Sequence, residues 1–436
     1  MGGPASWSQG TTRRQYRFAG PPGTRRRVTG VTAMPAPDEP IVEITLAELD
    51  ADPYPALARL RERTPAAWIP ALDGWIVTRR DLCIEVMRDA TRFTVDDPRF
   101  STARVVGPSM LSLDGAEHRR HRDPFATAFR RPQVMERFGE RVRAEALELA
   151  DGLRPHGGAE VRRDLAGPLA VRVVAAALDL LDVEPAVVLG WYDEIVGAVD
   201  RVSAGGEIGE RAPAAVAALD RHVGATIDHG GGVLADATAT LARPEIVSNA
   251  AVMMFGGIET SEGMTTSLFW HVLTTPGALE GIRRDRTLIA NAVEESLRLE
   301  PAAGRVDRYA TEDVEVGGAH IRRGDLVIVS LTAANRDPAT FPDPDRFDIG
   351  REEARSHLAF AQGPHACVGL HLARLETLAA LDAVLDGWPG VRLDDGATEP
   401  TGVIFRKPRS LPVRWDPAPG PAAEPPTRRR PAATRS

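Results

Sequence analysis

One segment of the 436-residue chain concentrates chemistry. Residues 360–369 read Phe-Ala-Gln-Gly-Pro-His-Ala-Cys-Val-Gly, a loop of small residues and breakers leading into an apolar helical pattern over 368–386. A thiol at a helix start meets free backbone N–H groups and the positive end of the helix dipole, which favours the thiolate. A thiolate suits a nucleophile or a soft-metal ligand, and the glycines let backbone approach something flat and large. Blander readings stand beside this one. A lone cysteine is usually a buried structural residue. His365, Cys367 and His371 supply three zinc ligands but no fourth. A Cys–His hydrolase needs a base and an oxyanion hole, and nothing in the sequence identifies either. The second cysteine, Cys83, lies in an amphipathic stretch and reads as core.

Three further constellations stand out. Glu295 and Arg298 share a helix face at i, i+3, a spacing that is usually a solvated pair. Gly256-Gly257-Ile258-Glu259-Thr260-Ser261 sits midway along the longest apolar stretch. Glycines inside a helix cost about 1 kcal/mol each relative to Ala, and a buried acid costs more unless satisfied. Such a segment is either a helix-packing notch or a place where space and a hydroxyl are used. His118 and Arg122 share one face of a helix capped by Asp114, where they either clamp an anion or form a solvated basic face.

These groups must be positioned by elements the periodicity marks out. Helical patterns cover 52–63, 79–89, 115–130, 133–153, 162–180, 185–200, 211–229, 244–275, 276–283, 287–299 and 368–386. Strand patterns are fewer: a hairpin of 67–70 and 74–78, a meander of 313–316, 319–321 and 326–330, and a late strand at 411–415. The expectation is a mainly α chain with a minor, segregated sheet (α+β), in one large domain over 39–416. Glycines near 205 and 230 are expected to break 183–235 into mobile pieces. Residues 1–38 and 417–436 read as disordered, with Met34 the expected natural start.

The formal charge is −8; residues 1–33 and 416–436 carry +6 and +2, which leaves −16 on residues 34–415. A body that acidic is a poor nucleic-acid binder. No run reaches ~18 apolar residues, which excludes a membrane-spanning helix. The N-terminus has no apolar h-region of a secretory signal. Two cysteines exclude a disulfide framework and fit a reducing cytoplasm. Of 53 basic residues only Lys407 is a lysine, which reads as codon bias of a GC-rich bacterial genome and carries no chemistry.

The loop resembles the haem-ligand loop of the cytochrome P450 family: Phe360, Gly363, His365, Cys367 and Gly369 stand in its pattern, with Ala361 where many members have Gly. The likeness extends over 40–415. It implies the P450 fold, with haem b between the long distal helix and the cysteine-loop helix, Cys367 as thiolate ligand, and Phe360, Gly369 and Gly256 beside the cofactor. It further implies haem carboxylates served by His118, Arg122, Arg308 and His365, and a structural triad of Glu295, Arg298 and Arg346, the last from Pro344-Asp345-Arg346-Phe347. Glu259 and Thr260 become the acid–alcohol pair that organises water and delivers protons.

The substrate pocket maps to 93–111, 253–260, 301–306 and 401–405, with Met253, Ala302, Ala303 and Val306 lining it and Arg305 able to meet a substrate carboxylate. The implied activity is an O2-dependent monooxygenase of secondary metabolism acting on a small hydrophobic or natural-product substrate. A ferredoxin and a flavin-dependent ferredoxin reductase would feed it from NAD(P)H, docking by Arg119, Arg120, His371 or Arg374. Phenol coupling, desaturation, peroxide-driven oxidation and a haem-thiolate sensor are the alternatives.

Overall fold

A computed structural model describes residues 39–416, apart from 181, 204 and 231. The two ends expected to be disordered, and Met34, lie outside these residues.

The chain opens with α1 (Leu46–Ala51), α2 (Tyr54–Arg63), the hairpin β1 (Ala66–Ile69) and β2 (Gly74–Val77), α3 (Arg80–Arg88) and β3 (Phe93–Thr94). There follow α4 (Ser101–Val106), α5 (Gly115–Ala126), α6 (Arg131–Leu153) and β4 (Gly158–Glu160). A π-turn, Val161–Ala166, runs into α7 (Gly167–Ala177). Next come α8 (Pro185–Ser203), α9 (Arg211–His229), α10 (Gly232–Ala237), α11 (Arg243–Thr274), α12 (Ala278–Arg284) and α13 (Leu288–Leu299). The last third holds β5 (Arg305–Ala310), β6 (Val314–Val316), β7 (Ala319–Ile321), β8 (Leu326–Ser330), α14 (Leu331–Ala334), α15 (Leu370–Gly387), β9 (Arg392–Leu393), β10 (Pro400–Thr401), β11 (Lys407–Pro408) and β12 (Pro412–Arg414).

Every helical stretch expected from the periodicity is present, and within 183–235 the helices α8, α9 and α10 are separated at the glycines near 205 and 230. Among the described residues no helix is long and apolar enough to cross a membrane. The helix α11 is buried on nearly all sides from Ile246 to Val272, as its apolar surround requires. Pro244 at its start and the Glu245 carboxylate accepting from the Ala242 N–H at 2.9 Å set where it begins. Thr265 of α11 meets Thr377 of α15 at 3.1 Å, which fixes the two helices against each other.

The expected meander does not form. The strands β6 and β7 pair only with each other, while β8 joins a five-stranded sheet ordered β1-β2-β8-β5-β3, parallel to β2 and antiparallel to β5. The strand β5 was absent from the pattern because its sequence, RVDRYA, mixes charged and apolar residues on both faces and so lacks the period-2 alternation of a half-buried strand. One face carries Val306 and Arg308, level with Val329 and Val327; the other carries Arg305 and Asp307, level with Ser330 and Ile328.

The Glu295–Arg298 pair is buried, not solvated. Arg298 donates to both Glu295 oxygens at 2.7 and 2.9 Å, with neither side chain exposed. The third member is Arg351, which donates to Glu295 at 2.9 Å. Arg346, assigned this role from the sequence, is a correction: its side chain is exposed and meets Asp348 at 3.4 Å. Only the Arg346 carbonyl joins the cluster, accepting from Arg298 and Arg351 at 3.0 and 3.1 Å.

Removing one partner strands a buried charge. Arg351→Ala is expected to cost about 3–5 kcal/mol, and Arg346→Ala no more than about 0.5 kcal/mol. Denaturant unfolding followed by far-UV circular dichroism measures both; equal losses would contradict the assignment.

Candidate active site

The cysteine loop is shaped by its backbone. The Phe360 carbonyl accepts from the Cys367 N–H at 2.8 Å. Gly363 has φ of +76°, and a Cβ there would collide with the Met87 carbonyl oxygen at the end of α3. Ala361 also takes a left-handed φ, 56°, at roughly 1 kcal/mol for a residue with a Cβ. The side chain of Cys367 reaches solvent, and the N–H groups of Gly369 and Leu370 face its sulfur. Burial raises the thiol above its ordinary value on balance, although the helix-start N–H groups act in the expected lowering direction, as do the Arg122 and Arg374 charges. Cys83 is fully buried, and its thiol faces the Val77 carbonyl at 3.3 Å.

Basic groups gather beside this loop. Arg122 donates to the Ala366 carbonyl at 2.6 Å, so it holds the loop itself. His365 meets Asp114 at 2.8 Å, and its ring lies 4.3 Å from that of His118. Asp114 occupies the N-cap position of α5 but makes no cap bond; it accepts from Thr94 and Val95 at 2.6 and 2.8 Å. Burial would raise the Asp114 carboxyl, but hydrogen bonds from His365, Thr94 and Val95 bring it well below the usual range. Burial, then the His365 and Arg122 charges, push His118 down to about 4. Among the described residues His118 Nε2 and Arg308 Nη2 are buried with no hydrogen-bond partner.

On α11 the two glycines separate the two readings of that segment. A Cβ at Gly257 would collide with Val174 of α7, so this glycine is a packing notch. A Cβ at Gly256 would meet nothing within 4 Å, so this one borders open space. The Thr260 hydroxyl donates to the Gly256 carbonyl one turn earlier. Glu259 pairs with Lys407 at 2.6 Å and accepts from the Tyr192 hydroxyl of α8. Glu262 pairs with Arg162 and lies 3.1 Å from Lys407. Burial, then the Glu259 charge, pushes Asp200 of α8 up to about 6. Burial pushes Glu376 of α15, bonded to Ser261, up to about 8.

Known proteins bear on this arrangement. A family model described as cytochrome P450 matches residues 233–388. PikC, a cytochrome P450 monooxygenase of Streptomyces venezuelae, is 32% identical and aligns over 90% of this chain and 97% of its own. The 6-deoxyerythronolide B hydroxylase of Saccharopolyspora erythraea is 30% identical over 85% of this chain and 99% of its own. The crystal structure of CalO2 superposes with a TM-score of 0.78 at 30% identity, covering 86% of this chain and 99% of that one. The chain belongs to the cytochrome P450 family. It is a P450 monooxygenase, an enzyme class whose cofactor is haem b on a cysteine thiolate.

The residues of this P450 fit that cofactor. Haem needs a thiolate, donors for two carboxylates, and room for a flat ring. Cys367 is accessible; His118 Nε2 and Arg308 Nη2 are orphaned buried donors; Gly256 and Gly369 leave open space where a Cβ would stand. A buried donor without an acceptor is costly, so a carboxylate is the natural complement of both.

The pocket residues of this P450 divide. Phe255 of α11 meets Phe405 edge-on at 5.6 Å, and Ala303 bridges to Phe405. Ala302 and Ala303 lie in the segment from α13 to β5, Val306 lies in β5, and Met253 of α11 packs against the core. Arg305 does not join them. It projects from the opposite face of β5 to Arg308, over a small cavity lined by Leu49, Leu57, Ile76 and Ile328. Two of the expected docking cations are also engaged: Arg120 pairs with Glu117 and Glu245 at 2.8 and 2.6 Å, and Arg374 with Glu294 at 2.6 Å. Tyr192, Lys407, Asp200 and Glu376 were not singled out as site residues, since no motif marks them.

Arg308→Ala and His118→Phe are each expected to weaken haem binding about tenfold, the worth of one charge-assisted hydrogen bond. Titrating apoprotein with hemin at the Soret band measures this; unchanged affinity in both would show that other groups take the carboxylates.

Proposed function

We propose that this P450 inserts one oxygen atom of O2 into a small hydrophobic or natural-product substrate in the bacterial cytoplasm. Electrons come from NAD(P)H through a flavin-dependent ferredoxin reductase and a ferredoxin. The observation that carries this is the Glu259–Thr260 pair, an acid and an alcohol set beside open space at Gly256 midway along α11.

Haem supplies O2 activation, with thiolate ligation favouring O–O cleavage. The protein supplies everything else. Cys367 is the ligand; a metal ligand must be deprotonated, so its raised thiol loses its proton on binding. Arg122 pins the loop through Ala366, and Phe360 lies under the Arg374 guanidinium at 4.6 Å. His118 and Arg308 donate to the haem carboxylates, and His365, tied to Asp114, keeps the His118 ring in place. The Thr260 hydroxyl exchanges the Gly256 carbonyl for a water and passes on protons that Glu259 receives. Phe255, Phe405, Ala302, Ala303 and Val306 exclude water and orient an apolar substrate. A relative named for hydroxylating 6-deoxyerythronolide B supports a secondary-metabolism substrate.

The ferredoxin docks beside the cysteine loop. Arg88 and Arg131 are exposed there, Arg119 is exposed on α5 and Arg130 at the start of α6, and no carboxylate pairs with them among the described residues. Free cations on an acidic body steer an acidic partner.

The reduced protein with CO is expected to give the strongly red-shifted Soret band of a thiolate ligand, and Cys367→Ala to lose it. Thr260→Ala should keep that band while product per NADH falls at least about tenfold and peroxide rises; unchanged coupling would refute the relay. Arg119→Glu with Arg131→Glu should slow reduction by ferredoxin and flatten its salt dependence in stopped-flow traces. Wild-type rates would move the docking face elsewhere.

A further inference from the structure

The chain's single lysine stands at the relay acid. Lys407 is at the start of β11, directly after Phe405 and Arg406. Its ammonium lies 2.6 Å from Glu259 and 3.1 Å from Glu262, with its side chain 12% exposed. A Cβ on Gly263 of α11 would stand 3.5 Å from the Lys407 stem, at ordinary van der Waals distance, so the lysine chain lies along the helix at this position. Glu262 has a second cation in Arg162, and the Lys407 ammonium sits nearer Glu259 than Glu262. The Glu259 carboxylate also accepts from the Tyr192 hydroxyl, and the Arg162 and Asp200 charges interact with it.

The same turn is anchored from its other side. Arg406 is buried and donates to Glu300 at 2.6 Å, to the Gly402 carbonyl at 2.7 Å, to Pro400 at 3.0 Å and to Leu49 and Asp50 at 3.2 Å. Three consecutive residues thus do three jobs: Phe405 walls the pocket against Phe255, Arg406 fixes the turn to α1 and the end of α13, and Lys407 reaches the acid.

We infer that Lys407 is a positioning residue: it fixes where the Glu259 carboxylate sits relative to Thr260, and it ties that position to the substrate-lining turn. This rests on the role given above to Glu259 and Thr260. A guanidinium can replace the ammonium as a cation, whereas an isosteric apolar chain cannot.

The experiment uses the holoenzyme in two parts. In the first, an amine-selective acetylating reagent is applied and Lys407 labelling is followed by peptide mass spectrometry. The ion pair shields the amine, so Glu259→Gln should speed labelling about tenfold. Phenylimidazole, filling the pocket, should change the wild-type rate through the Phe405 turn. In the second, Lys407→Met should keep the CO spectrum yet raise peroxide per NADH and the solvent deuterium isotope effect on product formation, with Lys407→Arg restoring both. Labelling that is fast in wild type and indifferent to Glu259→Gln overturns the inference, even should Lys407→Met fail to fold. So does wild-type coupling in Lys407→Met while Glu259→Gln and Thr260→Ala uncouple. If those two variants themselves couple normally, the relay role falls first.

Discussion

The structure depends on one buried carboxylate. Glu295 lies at zero exposure in α13 and is made tolerable only by two guanidiniums, Arg298 and Arg351, and the Asp348 N–H. Each arginine spends its remaining donors on carbonyls of the irregular segment after α14. Arg298 reaches Asn335, Pro344 and Arg346; Arg351 reaches Asp343 and Arg346. A long stretch without regular structure is therefore given a fixed path by charge. Asn335 extends that path, accepting from the Leu358 N–H at 2.6 Å, just before the cysteine loop.

The neighbouring acid works in the opposite direction. Glu294 accepts from Arg374 through two bonds at 2.6 and 2.7 Å and from His357 at 3.0 Å. Hydrogen bonds from those two partners outweigh burial and hold its carboxyl well down. Arg374 and His357 both pack on Phe360. Two consecutive glutamates thus brace the loop from two sides. A metal ligand is useful only when its position is not negotiable, and neither a glycine-rich loop nor a single helix start provides that alone.

What could be read from residues alone was the local chemistry. The loop, the acid–alcohol pair and the basic cluster all depend on short spacings, and the helices follow from long periodic patterns. The readings that failed needed distant geometry. Arg346 and Arg351 lie in one short segment, and only the chain path, bent at Asp343 with φ of 45°, decides which side chain turns inward. Arg305 and Arg308 differ by strand parity, which was invisible while β5 itself went unrecognised. At Cys367 the helix start acts as its position in the sequence implies, but burial, which no short spacing reveals, is the larger effect. Lys407 was set aside as compositional accident, although rarity of a residue type says nothing about where its one copy is put.

Gly363 carries a last implication. Its missing side chain leaves room for the Met87 carbonyl, a backbone atom present whatever residue occupies position 87. Tolerance at this contact is therefore one-sided: no compensating substitution in α3 can make space for a side chain on the loop. A restriction to glycine at 363 would look, in any survey of variants, like a requirement of the cofactor, yet its physical source is a neighbouring main chain.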